Sequence, residues 1–217
     1  GMNMRIQPII GLCAVLVSGA VLNGCATLSE EQCAVGDWYG IGQSDGNSGY
    51  SHQRLEEHIE ACQRHGVTPD HVQYEQGRRA GLRSYCTPER GFRAGRMGNS
   101  YGGVCPAELE RDFLAGYSDG QIVYAAQGAY DTAQNDYNRH QQAARDLESR
   151  IPTEETAAQA PGRTDDQRRI IRDRIRSLRN DRDRALDQAR DAEWRMREAE
   201  RDVRDLRARF AAYYGSW

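Results

Sequence analysis

The chain contains no lysine: all 29 basic residues are arginine, and 32 acidic residues bring the net charge to -3. The missing lysine is read as a bias of composition without functional content, but the charge balance gives no case for nucleic-acid binding. Also lacking is an apolar run able to cross a bilayer, since residues 9–22 supply about 14 residues where a spanning helix needs roughly 20. Strand-like runs are missing where one chemistry would need them. Gly42-Gln43-Ser44-Asp45-Gly46 and Gly116-Tyr117-Ser118-Asp119-Gly120 both match the Gly-x-Ser-x-Gly pattern of a nucleophile elbow, yet no apolar strand precedes either. A serine hydrolase is therefore set aside.

What is there begins with a short apolar segment behind Arg5, followed by the small residues Ser18, Gly19 and Ala20 and then Leu22-Asn23-Gly24-Cys25. The last four resemble the lipobox of bacterial lipoproteins. Gly1 ahead of Met2 reads as a cloning remnant, residues 1–24 as a signal peptide, Cys25 as the lipidated residue and residues 25–32 as a tether. At about 0.8 kcal/mol per buried methylene, two or three acyl chains hold such a protein at the membrane permanently. Ala26 stands where Asp would signal retention at the inner membrane, so the expected location is the inner leaflet of the outer membrane, facing the periplasm. Of six cysteines, Cys13 leaves with the signal and Cys25 takes the lipid. Cys33, Cys62, Cys86 and Cys105 remain, an even set in an oxidising compartment, with three pairings open and nearest neighbours expected.

Residues 33–112 form a Gly- and Cys-rich segment, and in it and just beyond it one motif recurs: an aromatic residue, a glycine three positions on and another after four more. Its copies are Tyr39-Gly42-Gly46, Tyr74-Gly77-Gly81 and Phe113-Gly116-Gly120, with a contracted copy at Phe92-Gly95-Gly98. Glycines four apart share a helical face, and each costs about 1 kcal/mol relative to Ala inside a helix. Close helix packing is the first explanation of such a face, and a Gly-lined groove for a ligand is the second. Helices are expected over Ser51 to His65, capped by Ser51, and over Asp70 to Tyr85, capped by Thr68 or Asp70. Glu89 to Pro106 reads as turn-like and held shut by a Cys86–Cys105 bridge. His58, Cys62 and His65 share one helical face and could ligate zinc, but a disulfide competes for Cys62. Asp45 and Asp119, at matching places in two motif copies, could form a carboxylate pair, though solvated helix-end carboxylates are commoner.

Several of these residues, in order, carry a resemblance. Asp37-Trp38-Tyr39-Gly40-Ile41-Gly42, Gly66-Val67-Thr68-Pro69-Asp70, Tyr85-Cys86-Thr87-Pro88 and Gly103-Val104-Cys105-Pro106 resemble the bacterial family called domain of unknown function 2799 over residues 33 to 125 or so. The resemblance implies a cell-envelope lipoprotein with no assigned activity, and no functional residue is carried over from it.

Residues 113–217 turn heptad-like. Val123, Ala126, Tyr130, Ala133, Tyr137, His140, Ala144, Leu147 and Ile151 follow a three-and-four spacing that resumes from Ile171 to Phe210, broken only by Arg182. With a turn at about 152–166, these segments are expected to fold back as an antiparallel coiled-coil hairpin, bringing Phe210 near residues 107 to 110 and docking Phe210, Tyr213, Tyr214 and Trp217 on the disulfide domain. The fold class is thus mainly α: a small disulfide-braced helical domain followed by a long helical hairpin. The functional expectation is a non-enzymatic interaction or scaffold protein with an envelope partner, a monomer whose hairpin pairs within the chain being favoured and a coiled-coil dimer being the rival reading. A ligand-binding module with a Gly-lined groove, for example for peptidoglycan fragments, is the alternative. No catalytic residue, metal ligand or cofactor is assigned.

Overall fold

The computed structural model describes residues 27–217, so the expected signal peptide and the expected lipidation site Cys25 lie outside the described residues. Among the described residues there are seven helices and no strand: α1 Glu30–Val35, α2 Trp38–Asn47, α3 Arg54–Gln63, α4 His71–Tyr85, α5 Pro88–Arg96, α6 Ala107–Gln159 and α7 Asp165–Tyr214. Side-chain caps set most of the helix starts. Ser29 and Gln32 form a capping box on α1, Asp37 accepts from Gly40 N at 2.9 Å on α2, and Asp70 accepts from Val72 N and Gln73 N on α4. The backbone N–H of Gln73 is the main cause that lowers the Asp70 carboxyl below its usual range. Ser51 does not cap α3, which starts at Arg54 without a side-chain cap.

The glycine faces explain the arrangement of the domain. A Cβ at Gly42 would lie 2.0 Å from Tyr74 O, and one at Gly46 2.1 Å from Arg78 O; reciprocally, Gly77 and Gly81 face Tyr39 O and Gln43 O at 1.9 and 2.1 Å. Contact therefore advances in the same direction along α2 and α4, so the two helices run parallel with their backbones touching. Such an approach admits Cα–H to carbonyl contacts and excludes any side chain. The same pattern recurs between α5 and α6. Gly91 and Gly95 face Phe113 O and Tyr117 O, while Gly116 and Gly120 face Pro88 O and Phe92 O, all at 1.9–2.2 Å. In each half the order is cysteine, Gly-x-x-x-Gly helix, cysteine, Gly-x-x-x-Gly helix, and the cysteines of each half are joined: Cys33–Cys62 with Cα atoms 5.5 Å apart, Cys86–Cys105 with 5.6 Å. The correspondence extends to the glycines after α2 and α5. Gly49 and Gly98 have φ of 78° and 72°, and Tyr85 and Tyr124 roof them.

Two expectations are corrected here. Glu89 to Pro106 is not all turn, because α5 occupies its first part. Pro88 starts that helix, Thr87 Oγ1 caps Arg90 N at 3.3 Å, and the glycines that make it look turn-like are those that lie on α6. Its packed glycines are Gly91 and Gly95, so the in-register copy of the motif has Pro88 at the aromatic place, and Gly98 instead ends the helix region at positive φ.

The second correction concerns the hairpin. α6 is 53 residues long and continues through Pro152 to Gln159, leaving only residues 160–164 as the turn. Proline removes one helical N–H, at a cost of about 3 kcal/mol in isolation. Tertiary contacts offset it: Ile151 packs with Ile171, Ile175 and Leu178, Ala157 and Ala158 cover that cluster, and Arg174 and Arg179 reach across to Glu154 and Glu155. The later turn changes the register, so Phe210 meets Phe92 and Val123 and not residues 107 to 110. Small residues fill the middle of the shaft, with Ala133 and Ala144 buried on α6 and Ala185, Ala189 and Ala192 on α7. Arg182 fits the stripe by turning to Asp183 at 2.7 Å. Pro152→Ala restores the missing hydrogen bond in an existing helix and is expected to raise stability by about 1–3 kcal/mol, read as a higher urea midpoint with unchanged helicity.

Candidate functional site

Two of the sequence's candidate residues, His58 and Asp45, come together in the first half of the domain, in an arrangement that neither announces alone. His58 is only 1% exposed and Asp45 only 8%. His58 Nε2 lies 2.7 Å from Asp45 Oδ2, Tyr74 donates its hydroxyl to the same oxygen at 2.8 Å, and Thr27 Oγ1 lies 2.7 Å from His58 Nδ1. With a neutral imidazole, the complementary assignment has Thr27 donating to Nδ1 and Nε2–H donating to the carboxylate. Burial, then the hydrogen bond to Asp45, drives the Tyr74 hydroxyl well above the ordinary tyrosine range.

This order of hydroxyl, imidazole and carboxylate suggests a nucleophile chain, but its members are committed to one another and to packing. What the chain does is join four parts of the fold. Thr27 precedes α1, Asp45 is on α2, His58 on α3 and Tyr74 on α4. Leu28 adds an apolar anchor beside Thr27, packing with Cys33, Trp38, Leu55, Cys62 and Tyr74. Residues 27–32, expected within a tether, are thus part of the folded domain.

At the opposite end, a second carboxylate repeats the theme. Tyr214 donates to Asp119 at 2.7 Å, and burial followed by that bond pushes its hydroxyl up to about 12. Its ring stacks on Phe92 with centroids 4.2 Å apart, while the guanidinium groups of Arg96 and Arg207 lie over the Trp217 ring at 4.9 and 5.1 Å. Tyr213, also expected to dock, is 72% exposed. The end of α7 is therefore clasped to α5 and to the domain portion of α6.

These tyrosines give the fold an alkaline limit. In the unfolded chain a tyrosine titrates near pH 10, whereas Tyr214 keeps its proton to about 12 and Tyr74 holds it longer still. The stabilisation is complete below about pH 10 and is lost as pH rises toward 12, because the unfolded state releases protons that the folded state retains. Urea midpoints should fall above about pH 10, and Tyr214→Phe should make that fall shallower.

The other candidates separate. Cys62 is in a disulfide and His65 stands 3.8 Å from Glu30, so His58, Cys62 and His65 do not form a ligand set; among the described residues no cluster of three or more His, Cys, Asp or Glu is placed to hold a metal. Ser44 and Ser118 lie inside α2 and α6, where a nucleophile elbow cannot form. Asp45 and Asp119 each take their own tyrosine and make no pair. The eight motif glycines are covered by helix backbone and line no groove. What the residues alone did not reveal is the role of Thr27 and Tyr74, since a polar chain of such wide sequence separations leaves no periodic signal.

Residues 37–122 match a family model described as "Protein of unknown function (DUF2799)". The match starts at the Asp37 cap of α2, contains both glycine-packed helix pairs and ends as α6 leaves the domain, so most of the hairpin lies beyond it. Neither a curated protein nor a solved structure matches the chain.

Proposed function

We propose that this chain is a cell-envelope lipoprotein, anchored through Cys25 in the inner leaflet of the outer membrane, whose domain holds a rigid helical hairpin in the periplasm as an interaction or scaffold element. One observation carries the reading: α6 is both a core helix of the domain and the first arm of the hairpin, without a break between them. At 1.5 Å per residue, the arm beyond Ala125 extends for roughly 50 Å. The clasp of Phe92, Tyr214 and Trp217 fixes the second arm to the same domain. At the other end, Thr27 and Leu28 are docked two and three positions after Cys25, so an acyl chain on that cysteine would leave almost no slack between bilayer and domain. A hairpin carried this way has a set height and direction, which suits a spacer or docking arm acting as a monomer.

Two experiments test separate parts of this reading. Labelled palmitate should enter the protein in cells and be lost with Cys25→Ser; no incorporation overturns the anchor. For the arm, photocrosslinking residues placed at Trp194 and Ile170, 62% and 57% exposed on the shaft, should trap one defined envelope protein in intact cells. Crosslinks confined to a domain position such as Val72, 67% exposed on α4, would count against a scaffold hairpin.

A further inference from the structure

On the face of the domain bearing α4, Arg79 and Arg83 stand one turn apart at a cleft of about 470 Å3 between that helix and the chain entering α6. Like charges at this spacing repel each other. Among the described residues the ion pairs of α4 stop at Arg78, which is held by Glu75 and by Tyr50 O. Arg83, in the last turn, is favoured by the negative end of the helix; Arg79 has no such reason. Arg78 also lines the cleft, where Glu75 offsets it; Glu108 is the one carboxylate among the lining residues, so against Arg79 and Arg83 it leaves a single positive charge in excess. Val104, half-buried, makes the wall partly apolar.

Arg78 and Val104 also line a second recess of about 420 Å3, whose other walls include His52, Gly102 and Gly103. The backbone N–H groups of Gly102, Gly103 and Val104 meet no protein acceptor among the described residues. This wall is nonetheless fixed in place. Cys105 is bonded to Cys86, its N–H donates to Tyr101 Oη at 2.9 Å, and Tyr101 in turn donates to Glu110 at 3.0 Å.

We propose that this cleft binds small carboxylate-bearing ligands, of which a free peptide C-terminus is the type. The carboxylate pairs with Arg79 and Arg83, whose planar guanidinium groups can each present two donors to it. The adjoining side chain rests on Val104, and the preceding peptide carbonyl takes a donor from the glycine loop. A single surplus positive charge matches a monoanion better than a phosphate dianion, which Glu108 would repel. This site is independent of both the hairpin and the lipid anchor, so it stands or falls apart from the function proposed above.

The test is an NMR titration of the full chain with N-acetyl-Ala-Ala and with its C-terminal amide, each in L and D forms. The acid should shift the amide signals of Gly102, Gly103 and Val104 saturably, and the neutral amide should bind about tenfold more weakly or worse. Arg79→Gln together with Arg83→Gln should weaken the acid by about tenfold or more without moving the thermal midpoint, while Glu108→Gln should tighten it. Preference for the D form assigns the site to wall-type peptides and preference for the L form to protein C-termini. Equal binding of acid and amide, or no movement of these signals up to the solubility limit of the peptide, overturns the proposal.

Discussion

Gly116→Ala is expected to destabilise the protein by about 3 kcal/mol or more, at or above the usual ceiling for an overpacked site. Gly128→Ala, about three turns further along the same helix, is expected to stabilise it by roughly 0.8 kcal/mol. Helix propensity favours both changes, so the difference isolates packing. At Gly116 the new methyl would lie 1.9 Å from Pro88 O, an atom of the α5 backbone that can retreat only if the whole helix does. At Gly128 a Cβ meets nothing within 4 Å. Gly42, Gly46, Gly77, Gly81, Gly91, Gly95 and Gly120 should behave as Gly116 does, because each faces a carbonyl of the partner helix at a similar distance. Urea midpoints of the two α6 variants decide the matter. A Gly116→Ala loss under about 1 kcal/mol would mean that α5 and α6 can part cheaply, and the account of the domain as two backbone-contact pairs would fail.

Replacing either disulfide by two alanines should cost roughly 3 to 4 kcal/mol from loop entropy alone. The Cys33–Cys62 pair closes a separation of 29 residues and the Cys86–Cys105 pair one of 19, so the entropic difference between them is only a few tenths of a kcal/mol. Burial should decide which loss is greater. Cys33 and Cys62 are 0% exposed and sit among Leu28, Trp38, Leu55 and Tyr74, whereas Cys105 is 8% exposed beside the arginine cleft. Removing the first pair leaves a void in the core as well, and its variant should have the lower midpoint. Against a total stability of about 5–15 kcal/mol for a typical domain, a loss of this size should be plain in thermal unfolding. Equal midpoints for wild type and the Cys33→Ala/Cys62→Ala variant would show that the native helix contacts suffice without the bridge.

How much was legible in the residues can be judged element by element. The hairpin stripe from Val123 to Ile151 and from Ile171 to Phe210 was visible because the packing of a helix on a helix imposes a period on the chain itself. α5 was not visible, since Gly91 and Gly95 lower its local helix preference and only the contact with α6 restores it. The passage of α6 through Pro152 was hidden for the same reason: a local penalty is outweighed by Ile151, Ile171, Ile175 and two ion pairs that are distant in sequence. His58 and Asp45 attracted attention as candidates for other chemistry, and their bond to each other, with Thr27 and Tyr74, appears only when α2, α3 and α4 are packed.

The order of residues by itself determined the helical class, the glycine faces, the heptad arms and the set of cysteines able to bridge, since each of these is a local spacing or a count. Only the tertiary structure decided which glycine face lies on which, where the hairpin turns, how its base is clasped and that residues just past Cys25 are locked to a buried histidine. Those outcomes depend on contacts between backbones and side chains far apart in the chain, whose energies can exceed local preference and leave no mark on any single stretch.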